Sequence, residues 1–254
     1  MKKLISLGLI SAAVLSAPAF AEENEETNLN VSAELGILIT TGNTETSSYL
    51  GKITADHKLT NWKNKYEFNI LKKDAETEDD DGNKKTDTTD DRWDIAATGD
   101  YKFTDSSSAF VRGRYADDEM GAYATYATVD AGYGFNALKN ENMNLDLKAG
   151  AGFVEAETQE KDGVKGVSED SALITASAAF SWQINDMTKF IQNINISRAT
   201  DIGNTQTITE TGVSASFSDK MQMKFGFKTI SNTEVPVGFE KTDTETSVTL
   251  VVNF

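Results

Sequence analysis

The 254-residue sequence has no cysteine, two prolines (Pro18 and Pro236) and a single histidine, His57. Without cysteine no disulfide can staple the chain, and no acylated cysteine can anchor it as a lipoprotein. A lone histidine leaves little material for a nucleophile and base pair. The sequence also lacks any apolar run long enough to cross a bilayer as a helix. Basic residues are outnumbered, 24 Lys and Arg against 40 Asp and Glu, for a net charge of −16. Nucleic acid and anionic membrane surfaces repel such a chain, so neither is expected as a partner.

What is present begins with an address. Lys2 and Lys3 precede an apolar stretch from Leu4 to Leu15 and a small-residue end, Ala19-Phe20-Ala21. That arrangement predicts a secretory signal peptide over residues 1–21, cleaved before Glu22. Its removal takes two lysines and no acids, leaving residues 22–254 with a charge of −18. A chain of that length suits one large β domain or two small domains. An exported chain with no spanning helix is either soluble or a barrel, and side-chain periodicity has to decide.

From Leu29 to Phe254, twelve segments of about ten residues alternate in polarity, separated by clusters of Gly, Asn, Asp and Ser. In the first, Leu29, Val31, Ala33, Leu35, Ile37 and Ile39 share a face opposite Asn30, Ser32, Glu34 and Gly36. In the seventh, Met143, Leu145, Leu147, Ala149, Ala151 and Phe153 oppose Asn144, Asp146, Lys148, Gly150 and Gly152. Successive strand side chains point to opposite faces, so each segment reads as a strand with one apolar side.

A β-sandwich also alternates, but two further regularities favour a membrane barrel. Connections alternate in length. Those at 61–64, 105–107, 138–142, 185–187 and 218–220 are short, whereas 74–91, 117–121, 158–170, 200–205 and 232–241 are mostly longer. The connection at 41–45 is tight and departs from the rule. Aromatic residues then collect at strand ends: Tyr101, Phe103, Tyr133, Phe135, Phe180, Trp182, Phe217 and Phe254 at the short-turn end, with Trp62 in the turn beyond the second strand. Tyr49, Trp93, Tyr115, Tyr123 and Phe153 lie near the other rim. Two aromatic bands flanking an apolar belt are what two membrane–water boundaries select. The expected fold is all-β: an antiparallel up-and-down transmembrane β-barrel of about 12 strands, a monomer in the bacterial outer membrane.

The last segment, "TETSVTLVVNF", places Val248, Leu250, Val252 and Phe254 on alternate positions. It resembles the C-terminal signal that the barrel assembly machinery recognises in bacterial outer-membrane proteins. The first hairpin, "ELGILITTGNTETSSYLG", carries a Gly42-Asn43-Thr44 turn. With it the chain resembles a family of uncharacterised outer-membrane β-barrels named for induction by salt. The resemblance implies a place and a link to salt or osmotic stress, and supplies no mechanism. As chemistry, Gly-Asn is a pair suited to a hairpin turn needing positive φ.

Candidate functional residues lie on the polar face. Glu34, Asp56, Glu67, Asp94, Asp100, Asp130, Asp146 and Glu245 face Lys52, Lys102, Arg112, Arg114, Lys148, Lys224 and Lys228 there. The balanced signs predict either a wall of paired charges or a narrow hydrated passage without strong ion selectivity. Gly36, Gly132, Gly134, Gly150, Gly152 and Gly226 are expected to free space on that wall. Arg112 and Arg114, two positions apart on one strand, are the best candidates for an anion contact, with pairing to neighbouring acids expected ahead of it. The acidic stretch 74–91 is expected to be a solvated, self-repelling loop. Within it Glu78, Asp79, Asp80 and Asp81 are weak candidates for capturing Ca²⁺ or Mg²⁺ and bridging the loop to lipopolysaccharide. Outer-membrane lipid and lipopolysaccharide are the expected surroundings, and no cofactor is expected. The function expected is a non-enzymatic barrel, a passive small-solute or ion pore or a structural envelope protein. The alternative is a lipid-active, phospholipase-like barrel, which would need a base near the outer leaflet, whereas His57 falls near the short-turn end.

Overall fold

The computed structural model describes residues 28–38, 46–78, 84–119, 123–160, 166–235 and 241–254. The signal peptide, the Gly-Asn-Thr turn, Asp79, Asp80 and Asp81 lie outside them. Twelve strands form in chain order: β1 (Asn28–Leu38), β2 (Thr46–Lys58), β3 (Trp62–Glu78), β4 (Lys84–Lys102), β5 (Ser107–Asp118) and β6 (Tyr123–Lys139). They continue as β7 (Met143–Thr158), β8 (Ser168–Gln183), β9 (Thr188–Ala199), β10 (Thr205–Ser216), β11 (Met221–Asn232) and β12 (Thr242–Asn253). Every strand pairs antiparallel with its sequence neighbours, and β1 pairs with β12, closing a twelve-stranded barrel. No described helix is long and apolar enough to cross a membrane.

Alternation of exposure follows alternation of polarity. Leu29, Leu35 and Ile37 on β1, Ile53 on β2 and Met223, Phe225 and Phe227 on β11 stand exposed on the outer surface. Glu34, Thr54, Lys224 and Glu245 point inward, where strands that do not neighbour each other exchange ion pairs. The molecule is thus inverted relative to a soluble protein, with apolar side chains outside and ionised ones within. Such an exterior is fit for hydrocarbon, in which only closed hydrogen-bond ladders are stable.

The short turns cap one rim, helped by side chains that accept from turn backbone: Asn140 Oδ1 takes the N–H groups of Asn142 and Met143, and Asn185 Oδ1 those of Met187 and Thr188. Exposed Trp62, Tyr101, Phe103, Tyr133, Phe135, Trp182, Phe217 and Phe254 gather near this rim, and Trp62 meets Tyr101 edge to face at 5.3 Å. Near the other rim Tyr49, Trp93, Tyr115 and Phe153 are exposed, and Trp93 contacts Tyr115 at 5.5 Å.

Three expectations need correction. Residues 74–78 and 84–91 belong to strands and not to a loop: β3 and β4 stay paired as far as Glu78 opposite Lys84, after a register shift between Lys73 and Asp74. Backbone bonding propagates along the two strands despite the acids. Tyr123 does not join the upper aromatic band. An irregularity between Tyr123 and Thr125 breaks the alternation there, and the ring packs against a buried cluster at the mouth of the barrel. The glycines do not leave the wall empty, because neighbours occupy the room. A Cβ on Gly150 would come within 2.8 Å of the Phe110 ring, and one on Gly226 within 2.8 Å of Ser247 Oγ.

The inverted polarity makes a direct prediction. Ile53→Arg, on the mid-height outer face, should destabilise the bilayer-inserted barrel by about 2–4 kcal/mol. Urea titration of folding in phosphatidylcholine vesicles measures this, and a loss below about 1 kcal/mol would place Ile53 away from hydrocarbon.

Candidate functional site

The candidate site is the barrel interior, and three groups of inward side chains build it. The first lies on the β5–β9 side. Arg112 on β5 donates from Nε and Nη2 to both carboxylate oxygens of Asp130 on β6, at 2.9 and 2.8 Å. Thr175 on β8 donates to the same carboxylate at 2.8 Å. It can reach across β7 because that strand offers only Gly150 and Gly152 at this level. Arg112 Nη1 also reaches Asn195 Oδ1 on β9 at 3.5 Å, spanning three intervening strands. Nearby the buried Phe110 ring lies beneath two cations, Arg112 at 5.7 Å and Lys148 at 5.2 Å. Lys148 in turn pairs with Asp100 on β4.

The second group lines the wall from β10 through β1 to β3. Lys224 sits between Glu34 and Glu210, at 3.4 and 2.9 Å, and Asn193 donates to Glu210 at 3.4 Å. Lys52, opposite Glu34 in the ladder, approaches Glu67 at 3.3 Å, and Lys65 reaches the same oxygen at 2.9 Å. The third group joins β4 to β12. Arg92 donates to Glu245 across the barrel and lies 4.0 Å from Asp118. Lys228 stands opposite Glu245 in register. Asp94 accepts from Asn69 at 2.9 Å and lies 3.6 Å from Arg114.

Side chains of Glu67, Arg112, Arg114 and Glu210 keep 24%, 24%, 25% and 24% of their surface accessible. These charges are thus partly accessible to water and not sealed in a dry core. At the long-loop mouth the inward side chains turn apolar. Ala116, Tyr126, Val154, Ala156, Leu173 and Ala199 form a buried cluster, with Tyr123 and Ile202 packed on it. That cluster fills the mouth above the β5–β9 wall. At the opposite rim Asn30, Ser32, Asp56 and Asn253 line a 230 Å³ cavity beside Phe254.

Among the residues named from sequence, Arg112 and Arg114 pair with Asp130 and Asp94. Asp146 accepts from Asn136 and Asn144 at 2.7 Å each. Lys102 is exposed at the short-turn rim, and β3 ends at Glu78. Arg92 and Glu210 were missed. Their parity with Asp94 and Ser214 would have found them, although no sequence signal names their partners. Among the described residues no group of three or more His, Cys, Asp or Glu is placed to hold a metal ion. His57 lies on the outer face of β2, opposite Leu29 and Asn64, near the short turn.

Comparison with known proteins places this geometry. The family model described as "Protein of unknown function, DUF481" matches residues 33–254. A relative from Escherichia coli (strain K12), the uncharacterized protein YdiY, is 24% identical over 238 residues, covering 93% of this chain and 86% of its own. Among solved structures, the NanC porin superposes with a TM-score of 0.51 at 10% identity, over 89% of this chain and 99% of the porin. An outer-membrane channel from Pseudomonas putida F1 gives a TM-score of 0.51 at 10% identity, over 90% and 95%. These likenesses establish the fold, and that fold is one of outer-membrane proteins.

The Arg112–Asp130 pair yields the second prediction. Asp130→Ala leaves a half-buried guanidinium without its bidentate partner and should cost about 3 kcal/mol of stability. Arg112→Met combined with Asp130→Leu should recover most of that loss. Urea denaturation of the folded band on cold SDS gels reads both, and an additive double variant would show that the two residues do not act as a pair.

Proposed function

The chain belongs to the DUF481 family of proteins of unknown function, and on that premise we propose a narrow, passive, weakly selective conduit for ions and small solutes in the outer membrane. One observation carries this reading: the charged wall around Lys52, Glu67, Glu34, Lys224 and Glu210 combines both signs with access to water. Neighbouring opposite charges let a hydrated ion of either sign exchange water for protein contacts, whereas a single-sign ring would admit one sign. The long-loop rim faces outward from the cell and the short-turn rim faces the periplasm. Val248, Leu250, Val252 and Phe254 form the face read by the assembly machinery. Flow through such a conduit fits an envelope under salt or osmotic stress.

A structural barrel is the second reading, and Arg92 favours it. Its bond to Glu245 ties β4 to β12 past the three strands between them, a brace on the inner wall. A lipid-active enzyme finds less support, since His57 stands near the short-turn rim instead of the outer leaflet.

Planar-bilayer recording of the purified protein separates the first two. A conduit gives small, discrete steps with a reversal potential near zero in a KCl gradient. Lys224→Glu should then shift the preference towards cations, and Arg92→Ala should enlarge the steps. A silent bilayer for both wild type and Arg92→Ala would leave the structural reading.

A further inference from the structure

The apolar belt of this barrel is not equally tall all the way round. On β7 the outward side chains are apolar from Met143 to Phe153. At ~3.3 Å per residue and ~40° tilt that run rises ~25 Å, the height of a barrel's apolar band. On β12 the outward apolar run extends only from Val248 to Phe254, ~15 Å by the same rule, and on β10 only from Val213 to Phe217, ~10 Å. Above these runs the outward positions carry hydroxyls.

Register arranges the hydroxyls in rows across three strands: Thr207, Ser231 and Thr242, then Thr209, Thr229 and Thr244. They bond laterally, Thr209 to Thr229 at 2.6 Å and Ser231 to Thr242 at 3.0 Å, and lower down Thr211 donates to Gln192 at 2.6 Å. The exposed upper aromatics Tyr49, Trp93, Tyr115 and Phe153 all belong to β2, β4, β5 and β7. Two exposed cations flank the step instead. Arg198 at the top of β9 donates to Thr205 at 3.0 Å, and Lys241 donates to the Thr233 carbonyl. The rim is otherwise acidic, with Glu119, Glu155, Glu169 and Asp170 exposed around β5 to β8 and Asp201, Glu234 and Asp243 exposed beside the step itself.

We propose that the hydroxyl-lined step on β10–β12, flanked by Arg198 and Lys241, is a docking site for the phosphorylated sugar head of an outer-leaflet glycolipid. Sugar hydroxyls both donate and accept, as threonine hydroxyls do, so a neutral hydroxyl sheet offers them matched partners. The guanidinium supplies the charge-assisted bonds that a phosphate needs. Acids around the rim and beside the step repel the same phosphate, so Arg198 and Lys241 are the groups that can hold it. With the apolar belt ~10 Å lower here, the head rests against the strands and not above them.

Native mass spectrometry of the full-length protein in detergent, titrated with bisphosphorylated lipid A, tests the site. Dephosphorylated lipid A, phosphatidylglycerol and inorganic phosphate serve as comparators. The expected result is one retained lipid A per barrel, held ~tenfold more tightly than any comparator. Arg198→Gln with Lys241→Gln should erase that preference. Thr209→Val, Thr229→Val and Thr244→Val together should weaken binding further, while cold SDS gels still show a folded band. Equal retention of phosphatidylglycerol, equal affinity for inorganic phosphate, or wild-type retention by the folded variants would overturn the proposal. So would a dimer that the valine variants dissociate irrespective of lipid A, since the occupant would then be a second copy. Conductance is independent of the site, so Arg198→Gln should conduct as wild type does.

Discussion

In hydrocarbon a backbone N–H or C=O has no water to fall back on, and each must find its partner within the protein. That requirement makes closure of β1 on β12 the feature from which the rest of the structure follows. Among the described residues the seam holds seven register pairs, from Ser32 opposite Asn253 to Leu38 opposite Ser247. Phe254 extends it with a backbone bond from its N–H to the Val31 carbonyl. By contrast β3 and β4 pair over their full lengths, beyond any height a bilayer needs. The two ends of the sheet meet beside Phe254, which stands exposed. An exposed aromatic there also sets that junction at the membrane boundary.

Closure dictates the interior. Twelve strands enclose more room than a filled eight-stranded core and less than an open porin. Period-two alternation then turns every other residue of a polar, acidic chain into that space. A carboxylate inside must meet a cation, a donor or water. The chain uses all three: Asp130 takes Arg112 and Thr175, Asp146 takes two asparagine amides, and Glu210 keeps water access beside Lys224. Glycines on β6 and β7 take part by removing side chains, so that Phe110 can lie flat on the wall with Arg112 and Lys148 over its ring.

Much of this was legible in the sequence, because one physical rule, alternation, governs both the strands and the two faces. Leu29 to Ile37 and Met143 to Phe153 name their strands and their outward side chains without help. Legibility ended where alternation did. Phe153 and Val154 are adjacent and both apolar, so nothing in the sequence says that the second turns inward to join Leu173 and Ala199. Tyr123 looks like a girdle residue until the irregularity beside it breaks the pattern. The acids of 74–91 suggest a loop because composition does not reveal that backbone pairing continues past the membrane. Cross-barrel partners were out of reach altogether. Arg92 and Glu245 are 153 residues apart, and only closure of the sheet brings them together.

Outside and inside are coupled through the same rule, and the uneven belt shows it. On β10, Glu210 turns inward to Lys224 while its neighbours Thr209 and Thr211 turn outward. A one-residue slip would bury the threonines and drive Glu210 into lipid, so the ion pair within fixes which groups meet the membrane. On β7 the same logic sets Lys148 inward and Leu147 outward, giving a tall greasy wall. The barrel therefore has two distinct sides: one with a full apolar belt and an apolar cluster at its mouth, the other with a hydroxyl step and a charged wall. One rule, applied to different residues around the sheet, thus sets both the height of the belt outside and the ion pairs within.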